Sequence, residues 1–122
     1  MAYDDQNVFA KILRGEIPCK KVYEDEFALA FHDINPQAAV HVLVIPKAPY
    51  VSFADFAREA DAESVAGFFQ AVNTTARELG LEPQGYRILA NHGRAARQEV
   101  PHFHVHIFGG ADLGPMITRT AG

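Results

Sequence analysis

Three histidines stand at alternate positions in the segment His102-Phe103-His104-Val105-His106-Ile107-Phe108. A β-strand points successive side chains to opposite faces, so this spacing predicts three imidazoles on one face, neighbours roughly 6.5–7 Å apart. Phe103, Val105 and Ile107 would form the opposite, apolar face. The chain has 6 histidines in all, and strand propensity gives no reason for half of them to share one face. Two chemistries suit such a row. Neutral imidazole nitrogens ligate zinc, with a further residue closing the site. Alternatively, imidazole titrates at roughly pH 6.5 and serves as nucleophile and acid–base catalyst near neutrality. Spacing alone leaves both open.

Such a strand needs a sheet around it and helices to cover its apolar face. Residues 40–45 are rich in β-branched side chains and stop at Pro46, which predicts a strand. Residues 20–24 and 27–34, separated by acidic turn residues, predict an antiparallel pair that ends at Asn35-Pro36. Residues 86–91 and 102–108 supply a fourth and a fifth strand, with a loop over 92–98 between them. Asp4 or Asp5 is expected to cap a short helix bearing Val8, Phe9, Ile12 and Leu13 on one face and ending at Gly15. Ser52 with Asp55 resembles a capping box for a short helical stretch. Asp61 would cap a longer helix whose apolar positions Val65, Phe68, Phe69, Val72, Ala76 and Leu79 keep the helical period up to Gly80. Runs of strands with two main helices predict an α+β fold, a five-stranded antiparallel sheet in a single domain over residues 1–122.

Composition sets limits on function. The chain of 122 residues is 48% hydrophobic, the make-up of one globular domain with a core. A net charge of −4, with lysines and arginines scattered, argues against a nucleic-acid polymer or an anionic membrane as partner. A small phosphorylated ligand remains compatible with it. Cys19 is the single cysteine, so no disulfide forms within the chain. The first residues are acidic and polar, unlike a signal peptide, and no apolar run reaches the roughly 20 residues of a membrane span. A cytoplasmic protein is the expectation.

The segment 102–108, written HFHVHIF, resembles the signature of the histidine-triad (HIT) nucleotide hydrolases and transferases. The resemblance extends to Asn7-Val8-Phe9, Ile17-Pro18, residues 31–47, Gly85-Tyr86-Arg87, Asn91, Gln98 and Gly109-Gly110, in the order of the Hint-like branch. It implies that His104 attacks the α-phosphorus of a nucleotide derivative, forming a nucleotidyl-histidine that water then opens. His102, His106 and His41 would complete the hydrogen-bonded network. It implies further that Asp33 holds the ribose, that Asn91 and Gln98 lie at the phosphate, and that Phe9, Ile17, Phe31, His32, Ile34 and Leu43 line a purine pocket. No metal or cofactor enters that reaction. A two-fold homodimer with sheets joined across the interface is implied as well.

Two features depart from the family pattern. Glu99 stands where relatives carry a serine after the glutamine, and its carboxylate is a candidate relay to the leaving group. The loop over 93–97 lacks two of the usual glycines and carries Arg94 and Arg97. The leading expectation is a purine nucleoside phosphoramidase, releasing AMP from adenosine monophosphoramidates or acyl adenylates. A dinucleoside polyphosphate hydrolase, a nucleotide-binding regulatory module and a zinc hydrolase are the rivals.

Overall fold

The computed structural model describes residues 2–117. The remainder of the expected 1–122 domain lies outside the described residues. The elements run α1 (Val8–Leu13), β1 (Lys21–Glu24), β2 (Ala28–His32), β3 (Val40–Pro46), α2 (Phe53–Glu59), α3 (Ala62–Glu78), β4 (Arg87–Leu89) and β5 (Val105–Gly109). One five-stranded sheet in the order β1-β2-β3-β5-β4 carries them, every adjacent pair antiparallel. This is the α+β architecture expected, with α3 its one long helix.

Period-two alternation sorts the side chains of the three central strands. Ala28, Ala30, Val42, Val44, Val105 and Ile107 point to one face, where Phe56, Phe68, Ala71, Val72 and Ala76 of α2 and α3 pack with Phe103 into the main core. Leu29, Phe31, Leu43 and Ile45 point the other way and are covered by Phe9 of α1. Because β5 inserts beside β3 rather than beside β4 alone, the register sets Leu43 opposite His106 and His41 opposite Phe108. Histidines from two strands thus meet on the α1 face.

Local chemistry moves several boundaries. Asn7, not Asp4 or Asp5, caps α1: its Oδ1 accepts from the Ala10 N–H at 2.9 Å, and its Nδ2 donates to the Asp4 carbonyl at 2.7 Å. An amide does both jobs at once, which a carboxylate cannot. At α2, Ser52 and Asp55 form the expected capping box, Asp55 accepting from the Val51 and Ser52 N–H groups, each at 2.7 Å. Asp61 caps α3 through the Ser64 N–H, and Gly80 follows its end at φ +73°.

Strand β5 is shorter than the expected 102–108. It begins at Val105, opposite Val44, although β3 itself runs two residues further to Pro46: the Phe103 N–H turns away from β3 to the Tyr50 carbonyl at 2.8 Å. His102 and His104 therefore precede the ladder while remaining extended.

Candidate active site

The α1 face of the sheet opens into a cleft of about 800 Å³. Phe9, Ile17, Phe31, His32, Asp33, Ile34, Leu43, Asn91 and Glu99 line it, together with His41, His104 and His106. Ile34 is fully exposed at its rim, an apolar side chain that nothing among the described residues covers.

Two of the expected residues do not line the cleft. His102 is completely buried behind the cleft. Gln98 has its side chain occupied by the backbone: Nε2 donates to the Val51 and Val100 carbonyls at 2.7 and 3.0 Å, and Oε1 accepts from the Gly93 N–H at 3.0 Å. It ties the 92–98 loop to its surroundings and does not line the cleft.

Hydrogen bonds assign the tautomers. The Pro46 carbonyl, 2.8 Å from His102 Nε2, can only accept, so Nε2 carries the proton and Nδ1 accepts from the Tyr3 hydroxyl at 2.6 Å. The His102 carbonyl in turn accepts from His104 Nδ1 at 2.7 Å. That bond fixes the His104 proton on Nδ1 and leaves Nε2 with a free lone pair.

A second chain runs through the other histidines. The Gln37 N–H donates to His41 Nδ1 at 3.1 Å, which puts the His41 proton on Nε2, 2.9 Å from His106 Nδ1. His106 must then hold its proton on Nε2, a buried atom without a partner among the described residues. The site thus offers an unprotonated nitrogen on His104 and, on the neighbouring ring with centroids 5.0 Å away, an unused N–H. Phe108 lies parallel to His106, tilted by 3°, and packs against His41 at 4.3 Å, so both rings are held in place.

Burial keeps these rings neutral. Desolvation pushes His102 and His106 down to about 4, and for His106 the neighbouring His104 and His41 add to the effect. Desolvation also lowers His104, opposed by its bond to the His102 carbonyl and by the negative charges of Asp33 and Glu99. His41 is lowered by burial, with Asp33 opposing. Asp33 divides its carboxylate: Oδ1 accepts from the Asn35 N–H at 2.7 Å, and Oδ2 lies 3.6 Å from His41 Nε2. The turn and the cleft both draw on this residue.

Donor atoms of Asp33, His41 and His106 lie within 4.8 Å of one another, so only one triad histidine belongs to a potential metal cluster. The His41 and His106 nitrogens in it face each other at 2.9 Å across a shared proton. Tetrahedral zinc, at about 2.0–2.1 Å from each nitrogen, would hold them roughly 3.3 Å apart. The arrangement fits a hydrogen bond better than a pair of zinc ligands.

Several contributors have no marker in the sequence. Tyr3 and the Pro46 carbonyl lie 99 and 56 positions from His102, and no local pattern links them. Leu89, Val100 and Arg97 line the cleft through the placement of β4 and the loop before β5.

Fold and site together define a one-sheet α+β protein that presents an unprotonated imidazole nitrogen to a nucleotide-sized cleft. The HIT domain family matches residues 14–113. A 13.2 kDa HIT-like protein of Azospirillum brasilense is 62% identical over 117 residues, 96% of this chain and 96% of its own. The purine nucleoside phosphoramidase of Escherichia coli K12 is 37% identical over 115 residues, 94% of this chain and 96% of its own. A HIT family hydrolase from Clostridium thermocellum superposes with a TM-score of 0.85 at 42% identity, over 94% of this chain and 99% of that one. The chain therefore belongs to the HIT family, and hydrolase is the class that these relatives support.

Proposed function

We propose that this protein hydrolyses purine nucleoside monophosphoramidates, and acyl adenylates by the same route, through a nucleotidyl-His104 intermediate. The observation that carries the reading is the fixed tautomer of His104, whose Nδ1–H is held by the His102 carbonyl at 2.7 Å while Nε2 is left free. In the first step the Nε2 lone pair forms a bond to phosphorus as the P–N bond to the leaving amine breaks, and the amine departs after taking up a proton. In the second, water attacks phosphorus, the His104–phosphorus bond breaks, and one proton is released with the nucleoside monophosphate. Dividing one difficult displacement into two is the gain of covalent catalysis.

Other groups have supporting roles in this reading. The free His106 Nε2–H donates to a phosphoryl oxygen, where charge develops. Asp33 Oδ2 accepts from the ribose, and Phe9, Ile17, Phe31, His32, Ile34 and Leu43 bracket the base. Asn91 and Glu99 face the phosphate end, with Glu99 available as a proton relay. Neither a metal nor a cofactor takes part.

Hydrolysis of a fluorogenic adenosine phosphoramidate, measured beside His104→Ala with and without chelator, tests the proposal. Chelator-resistant turnover that vanishes in the variant is expected, a loss of at least about a thousandfold for removal of a nucleophile. A variant as active as its parent would overturn the mechanism. Faster cleavage of a diadenosine polyphosphate would move the assignment to that substrate class, and binding of AMP without turnover would make the protein a nucleotide-binding module. We also propose a homodimer joined through the β4 edge of the sheet.

A further inference from the structure

Behind the 92–98 loop lies a second hollow, of about 830 Å³, lined by Arg58 of α2 and by Arg94 and Arg97 of the loop, all three exposed. Among the described residues, Arg97 is the one side chain that lines both this hollow and the histidine cleft. We propose that Arg97, backed by Arg58 and Arg94, forms a subsite for an anionic group, carboxylate or phosphate, carried by the part of the substrate that departs. The subsite presupposes that substrate is split at His104.

The charges support an anion there. None of the three guanidinium groups has a carboxylate within 4.0 Å among the described residues. Asp55 and Glu59 also line the hollow, but both Asp55 oxygens already accept backbone N–H groups. Asp55 and Glu59 are the two counter-charges on that side against three arginines, and Glu99 stands on the cleft side. Three arginines on one hollow in a chain of net charge −4 is a local excess of positive charge. Fork-shaped guanidinium donors match carboxylate and phosphate oxygens.

Arg97 occupies an unfavourable backbone position to stand there. Its φ of +57° is the only positive value for a non-glycine among the described residues. A β-carbon is disfavoured in that conformation and glycine adopts it freely. A strained residue at a site boundary, bearing a charge with no partner, is placed to meet a ligand.

The subsite is tested with three adenosine phosphoramidates whose leaving amines are matched in length: butylamine, aminobutyrate and aminopropyl phosphate. Each is measured on the parent, Arg97→Gly and Arg97→Lys, and read as the ratio of kcat/KM for the charged compound to that for the neutral one within each protein. The parent should favour at least one anionic compound by about tenfold, mainly through KM, and added salt should shrink the preference. Arg97→Gly should bring the ratio to about one and Arg97→Lys should retain part of it. The better of the two anionic compounds identifies the group. A parent without preference, or a preference that survives Arg97→Gly, would overturn the subsite. If no compound turns over, the phosphoramidase reading falls, and calorimetric affinities for ADP and AMP decide the subsite. An ADP:AMP affinity ratio that falls in Arg97→Gly supports it, and an unchanged ratio refutes it.

Discussion

His102 uses both ring nitrogens on the protein, Nε2–H on the Pro46 carbonyl and Nδ1 on the Tyr3 hydroxyl, so it orients His104 and holds no proton for the substrate. Burial of these rings makes a prediction in pH. The folded protein holds His102 at about 4, while an unfolded chain titrates near the ordinary 6.5. Between those values the unfolded state binds more protons, so stability is complete above 6.5 and is lost as pH falls towards 4. His102 alone accounts for a loss on the order of 3 kcal/mol across that window. Denaturant unfolding at a series of pH values reads it directly, and stability that is flat over the window would contradict the neutral, buried histidine. His104 is lowered too, so the acid limb of kcat/KM should lie below pH 6.5. At this scale the sequence was legible where chemistry follows residue type and spacing: the alternation put His104 and His106 on the cleft. It was illegible for Gln98 and for the tautomers, because their partners are backbone groups that only the tertiary fold brings near.

The strand and helix types followed from periodicity, since β-branched and alternating runs leave few choices at 40–45 and the apolar period is unbroken along α3. The ends did not. A ladder ends where one strand turns away, and no residue within 102–108 records that the Phe103 N–H is taken by the distant Tyr50 carbonyl. Nor does composition explain Gly67, which interrupts α3 at a position where alanine would raise helix propensity by about 1 kcal/mol. The packing does explain it. A β-carbon there would fall on the Phe27 ring, including its Cγ, so the whole ring would have to leave its χ1 rotamer or the β1–β2 turn would have to shift. Gly67→Ala is therefore expected to destabilise the protein by about 1–3 kcal/mol, the usual cost of overpacking, against the sign that propensity alone predicts. Thermal unfolding of the variant checks it. A raised Tm would mean that Phe27 rotates out at little cost and that α3 does not depend on this close approach.

Considered as one object, the sheet has two unlike edges. Strand β1 carries Lys21 and Glu24 in an ion pair at 2.8 Å, with Lys47 also on Glu24, and its register slips between Lys21 and Tyr23. Charges and an irregular register both discourage pairing with another chain. Strand β4 is less protected: its pairing with β5 is regular and its one charge, Arg87, is turned to the Gly114 and Pro115 carbonyls. It is three residues long, and Ile88 and Leu89 are 47% and 36% exposed on it. An edge with two exposed apolar residues invites a second copy in antiparallel register, which would extend the sheet and bury both. Leu89 lines the cleft, whereas Ile88 pairs with Ile107 on the α3 face, so Ile88 tests the interface without altering the substrate's surroundings. Sedimentation of the parent at micromolar concentration should give twice the mass of one chain. Ile88→Lys places two like charges near the two-fold axis and should yield the monomer with its fold retained by circular dichroism. A parent that sediments as a single chain would remove the dimer, and a dimeric Ile88→Lys would move the interface to another surface.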